Sequence, residues 1–88
     1  MSEMLRIRPD ALEWREAEGE IVALDLRTST YVAINSTGAS LWPALIEGAS
    51  RDDLVSTLEQ RFGLDRARAE GDLDAFLELL RDRDLLEG

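Results

Sequence analysis

The sequence has no cysteine and no histidine, and its ten basic residues are all arginine. Without cysteine there is no disulfide framework, no thiolate nucleophile and no cysteine-based zinc or iron–sulfur site; without histidine the commonest general base and metal ligand is missing too. The absence of lysine removes Schiff-base chemistry and lysine-held phosphate. Ser/His/Asp and Cys/His catalysis are excluded, which leaves carboxylates, one tyrosine and arginine for acid–base work. No stretch approaches the roughly 20 apolar residues of a transmembrane helix, and the opening Met1-Ser2-Glu3-Met4-Leu5-Arg6 lacks a basic region followed by an apolar one. The expectation is a cytoplasmic protein with no membrane partner and no cofactor.

What is present is charge of one sign. Nineteen acidic residues against ten basic ones give a formal charge of −9 over 88 residues, 44% of them hydrophobic. A chain of this length suits one domain, able to bury about two-thirds of its unfolded surface without staples. We expect a single domain over residues 1–88, with its core from about residue 12 to 87. The charge repels nucleic-acid phosphates and anionic lipid within a Debye length of about 10 Å. Carboxylate pairs such as Asp52-Asp53, Glu16 with Glu18, and Glu70 with Asp72 and Asp74 follow from the acid content and read as a solvated face, not as a hydrolase or metal site.

From Leu12 to Ile34 the apolar period is close to two. Leu12 to Ala17 reads as a first strand, Glu18-Gly19 as a tight turn, Glu20 to Leu26 as a second strand, Arg27-Thr28-Ser29 as the next turn, and Thr30 to Ile34 as a short third strand. At Asn35 the period lengthens towards 3.6. Asn35 or Ser36 caps a first helix carrying Ala39, Leu41, Trp42, Leu45 and Ile46 on one face and ending at Gly48; Pro43 inside it predicts a kink or an early end. Ser50 with Asp53 opens a second helix with Leu54, Val55, Leu58 and Phe62, closed by Gly63. Asp65 caps a third, running to about Arg83 with Leu73, Phe76, Leu77 and Leu80 as its stripe, and Leu85-Leu86 folds back on the core. The fold class is α+β: a winged-helix-like, three-stranded antiparallel meander followed by three helices, which cover one sheet face only.

Two features invite a partner. The third strand lies at an edge, where Thr30, Tyr31, Val32, Ala33 and Ile34 offer backbone groups that another extended chain can pair with. On the third helix Leu79 falls away from the core stripe, in company with Arg68, Asp72, Ala75 and Arg83, so a leucine there would line a groove beside the sheet edge. Three helices beside a meander also suit a winged-helix DNA binder. The third helix argues against it, because Asp65, Glu70, Asp72, Asp74, Glu78 and Asp82 outnumber Arg66, Arg68, Arg81 and Arg83, and DNA affinity rests on neutralising phosphates. An adaptor for a folded partner is the other alternative.

The run from Glu20 to Trp42 resembles the PqqD-like family of peptide-modification chaperones, also called RiPP precursor recognition elements. A strand ending Ile34-Asn35, then Ser36-Thr37-Gly38-Ala39 and the Leu41-Trp42 pair, fills the family pattern, and Gly48, Leu54, Leu58, Phe62-Gly63, Asp72, Phe76-Leu77 and Leu85-Leu86 continue it. Pro43 departs from the family's usual choice at its position. The resemblance implies a non-catalytic domain that takes the leader segment of a ribosomally made precursor peptide as a fourth, antiparallel strand. That strand would lie along Thr30 to Ile34, in the cleft against Arg68, Asp72, Ala75, Phe76, Leu79 and Arg83 of helix three. Among family members a standalone domain of this size is most similar to the leader-binding B proteins of lasso-peptide pathways. Their partners are a separate leader peptidase and an ATP-dependent cyclase, and leader recognition there favours a tyrosine and a proline.

Overall fold

The computed structural model describes residues 4–87, which form in order the strands and helices β1 (Met4–Ile7), β2 (Leu12–Ala17), β3 (Glu20–Asp25), β4 (Thr30–Ile34), α1 (Ser36–Glu47), β5 (Ala49–Ser50), α2 (Arg51–Phe62), α3 (Arg66–Asp82) and β6 (Leu86–Glu87). The meander is antiparallel in the order β2-β3-β4. Its register is set at the first turn, where Glu18 and Gly19 both have positive φ (54° and 81°) between the paired Ala17 and Glu20. That is the two-residue primed turn whose twist matches the strands it joins. Alternation then puts Ile21, Ala23 and Asp25 of β3 and Val32 and Ile34 of β4 on the buried face. Val22 and Leu24 are half-buried on the other face, with Tyr31 and Ala33 exposed beside them. The helices cover one face only, as the apolar content predicts.

Each helix begins on a side-chain cap that takes up an otherwise unpaired N–H. Asn35 accepts from the Gly38 N–H at 3.1 Å, Ser50 from Asp53 at 3.2 Å and Asp65 from Arg68 at 2.8 Å. Gly63 closes α2 in the left-handed region, at φ 64°. Pro43 does not shorten its helix: α1 runs through it to Glu47, so the period of the apolar residues was the better guide to its length. Burial of Leu41, Trp42 and Leu45, each worth roughly 1.5–3 kcal/mol, offsets the lost hydrogen bond.

A second sheet falls outside the sequence expectation. β1 is its centre, paired antiparallel to β5 (Leu5 opposite Ala49) and to β6 (Ile7 opposite Leu86). The core therefore begins at Leu5, not near residue 12, since Leu5 and Ile7 are buried. The refolded tail is as expected, with Leu85 and Leu86 both buried and the Arg8 N–H donating to the Leu85 carbonyl at 2.8 Å. One contiguous core joins both sheets to the helices around Trp42, against whose ring the half-exposed Trp14 of β2 stands edge-on, 5.8 Å between centroids. Among the described residues no helix is long and apolar enough to cross a membrane.

Candidate functional site

β4 is bonded to β3 on one side, and within the described residues its other side is a free edge. The turn geometry decides which groups it presents. Residues flanking a two-residue turn exchange both hydrogen bonds, and the exchange then alternates along each strand. Glu20, Val22 and Leu24 thus direct their N–H and C=O groups to β2, and Ile21, Ala23 and Asp25 direct theirs to β4. The flanking bonds keep the same phase: Leu26 donates to Ala11 beside β2, at 2.9 Å, and the Asp25 carbonyl accepts from Ser29 on the β4 side, at 2.8 Å. The partners of Ile21, Ala23 and Asp25 are Ile34, Val32 and Thr30. Tyr31 and Ala33 are left with their N–H and C=O facing outward, two donors and two acceptors for an added strand.

Beside that edge runs a groove of about 460 Å³. Ala33 and Ile34 form its strand wall, and Asn35, Thr37 and Gly38 close one end where the chain turns into α1. The opposite wall is α3, through Arg68, Asp72, Ala75, Phe76 and Leu79. Residues three, four and seven apart share a helix face, so Asp72, Ala75, Phe76 and Leu79 make one stripe. Phe76 sits where this stripe meets the core stripe of Leu73, Leu77 and Leu80, and is 8% exposed; Leu79 is 36% exposed. Arg68 and Asp72 pair loosely, 3.7 Å apart and largely in solvent. Such a pair contributes about 0–1 kcal/mol, so either charge can exchange its partner for a ligand's.

The expected site residues therefore divide by geometry. Ala33, Ile34, Arg68, Asp72, Ala75, Phe76 and Leu79 share the groove. Val32 points into the core, at 4% exposure. Tyr31 projects from the opposite sheet face, beside Val22, Leu24, Glu13 and Arg15. Thr30 and Arg83 line a separate hollow with Arg27, Thr28, Asp82 and Asp84, near the C-terminal end of α3. The sequence reading did not single out Asn35, Thr37 and Gly38 as site residues. The signal was the change of period at Asn35, which brings the first turn of α1 against the end of the edge strand.

At that second hollow Arg27 ties the β3–β4 hairpin to the end of α3. Its guanidinium donates to the Asp84 carboxylate at 2.9 Å and to the Arg83 and Asp84 carbonyls at 2.8 and 3.1 Å, satisfying groups that a helix C-terminus leaves free. Burial pushes the Asp25 carboxyl up, but the Arg27 N–H and guanidinium and the Thr28 N–H outweigh it and hold it below its ordinary value. Asp84 is held low by its hydrogen bond from Arg27 and by the charge of Arg8. Carboxyls lowered on folding stabilise the fold above their unfolded value of 3.8 and lose that contribution as pH falls through the lower, folded value. Arg27→Ala should therefore lower Tm near neutral pH, with the gap to wild type narrowing in acid below pH 3.8. Thermal melts followed by circular dichroism across that range check it, and a gap independent of pH would show the linkage to be wrong.

Comparison with known proteins places these features in context. The family model described as "Coenzyme PQQ synthesis protein D (PqqD)" matches residues 20–86, from β3 into β6. The solved structure "TbiB1 in Complex with the TbiA(beta) Leader Peptide" is similar over 94% of this chain and 95% of that one, at 34% identity and a TM-score of 0.84. No curated protein matches. The winged-helix-like α+β architecture expected from the sequence agrees with that structural match.

Proposed function

Because the chain belongs to the PqqD family, we propose that it binds the leader segment of a ribosomally synthesised, post-translationally modified peptide as an antiparallel strand on β4, with alternate leader side chains in the groove against α3. One observation carries this reading: the unpaired backbone of Tyr31 and Ala33 opens beside a groove of mixed apolar and charged lining that runs along the same edge. The match to a protein solved with a leader peptide supports it.

Ile34 lies beside Phe76 and the N-terminal half of α3, whereas Thr30 lies beside Arg83 at its other end. A strand antiparallel to β4 then enters at Asn35 and Arg68 and leaves over Arg27 and Asp84. The part of the precursor to be modified, which follows the leader, emerges at the hairpin end. There it is open to a separate leader peptidase and to an ATP-dependent cyclase of a lasso-peptide pathway. The protein holds the substrate and performs no bond chemistry itself.

About four backbone hydrogen bonds at roughly 0.5–1.5 kcal/mol net each barely offset an association cost of about 4–15 kcal/mol. Apolar leader side chains, at roughly 1.5–3 kcal/mol each when buried, must supply the remainder. Ionic contacts at Arg68 would raise the on-rate more than the affinity.

The test is a fluorescence titration against labelled leader peptides, the TbiA(beta) leader among them, with duplex DNA in parallel. Saturable one-to-one binding to the leader alone is the expected result. Binding to DNA and not to any leader would overturn the proposal, and binding to neither would redirect the search to a folded partner.

A further inference from the structure

Gly38 occupies the third position of α1, where its φ is an ordinary negative one and where helix propensity favours almost any other residue. Conformation does not call for glycine there. Space does: a β-carbon on Gly38 would lie 2.6 Å from Ile34 Cγ2, 2.7 Å from Phe76 Cε1 and 3.0 Å from Phe76 Cζ. The first two are distances that real β-carbons essentially never show, so one neighbour would have to move.

The surroundings decide which. Ile34 is 2% exposed and held in register opposite Ile21 by the β3–β4 ladder. α1 cannot easily retreat, because the Gly38 N–H is bonded to the Asn35 cap that starts the helix. Both neighbours line the groove, but Phe76 is the less confined, at 8% exposure, and its ring is free of the ladder that holds Ile34. A densely packed interior passes such a displacement to its least confined member.

We infer that Gly38 sets the depth of the groove: its absent side chain is the space into which the Phe76 ring edge retracts, which leaves room above the ring for one bulky apolar side chain of the bound strand. The inference rests on the leader-binding reading and adds a specificity determinant to it. Any residue larger than glycine at 38 turns the ring outward and converts a deep subsite into a shallow one that suits small side chains.

The experiment compares wild type, Gly38→Ala, Phe76→Leu and the double variant. Each is titrated with fluorescein-labelled TbiA(beta) leader peptide and with alanine-scan variants of it, and NMR locates the ring of residue 76 in the unbound proteins. In wild type, one alanine substitution in the peptide should weaken binding about tenfold or more, marking the anchor. In Gly38→Ala the intact peptide should bind about tenfold more weakly, while the difference between anchor and alanine shrinks to about threefold or less. The double variant should regain most of the loss, since leucine clears the space the ring had entered. Should Gly38→Ala fail to fold, Phe76→Leu still tests the idea, because a deeper subsite should tolerate a larger anchor better than wild type does; no such gain overturns it. A Phe76 ring unmoved in Gly38→Ala, with the anchor preference intact, also overturns it. If the peptide does not bind wild type, leader recognition as proposed fails for this probe, and the ring position in Gly38→Ala still decides whether Gly38 governs the groove.

Discussion

Leu79→Glu is expected to abolish leader binding while leaving the fold in place. Leu79 sits on the α3 wall of the groove and is 36% exposed, so its replacement removes little core packing and should change stability by no more than about 0.5 kcal/mol. The bound state suffers twice. An apolar contact worth roughly 1.5–3 kcal/mol is lost, which alone is about a 10- to 150-fold weakening. A carboxylate is also brought under the incoming strand on the same helix face as Asp72, where it must be desolvated without a partner. Titration with a labelled leader, alongside an unchanged circular dichroism spectrum, checks the outcome. Undiminished affinity would mean that the ligand does not use this groove.

The second large effect concerns backbone, and the ladder phase makes it a matched pair. Tyr31→Pro deletes an N–H that faces the free edge, so β3 keeps its bonds while an added strand loses a donor and meets the proline ring. Val32→Pro deletes an N–H directed to Ala23 and puts a ring into the core side of the sheet, so the domain itself should lose about 3 kcal/mol or more. We expect folded, non-binding protein from the first and poorly folded protein from the second. Equal damage from both, measured by thermal melts and leader titration, would show that the edge residues are assigned in the wrong phase.

Much of this was legible in the chain because local rules agreed. The meander followed from period-two spacing and from Glu18-Gly19, and all three helix starts from Asn35, Ser50 and Asp65. Ala75 and Leu79 could be set apart from the core stripe by helical angle alone, whereas Phe76 fell on that stripe and joined the cleft only through the family resemblance. β1 was missed for a physical reason: Leu5 and Ile7 alternate, but the strand is completed only by two-residue segments at Ala49–Ser50 and Leu86–Glu87, too short to register as periodicity. Of the two outcomes Pro43 predicted, the early end did not occur, since the local penalty was overruled by the burial of Leu41, Trp42 and Leu45. Tyr31, Val32 and Thr30 could be named as one edge strand, but their division among the outer face, the core and a second hollow depends on which way the pleat faces, and alternation leaves that sign open until a turn fixes it. Gly38 was visible in the motif as a small residue; its reason was not, because Phe76 lies far along the chain.

The small sheet around β1 also bears on how the protein is made. Arg6 and Glu87 face each other across it, 81 positions apart in sequence. A nascent chain can close the meander and α1 from neighbouring segments and pair β1 with β5, but the second flank of β1 must wait until residues near 86 have left the ribosome. Pairings that distant form slowly because a long loop has to be closed first. The free edge of β4 is thus built from local contacts, whereas β1 is sealed against β6 only by the pairing most distant in sequence among the described strands.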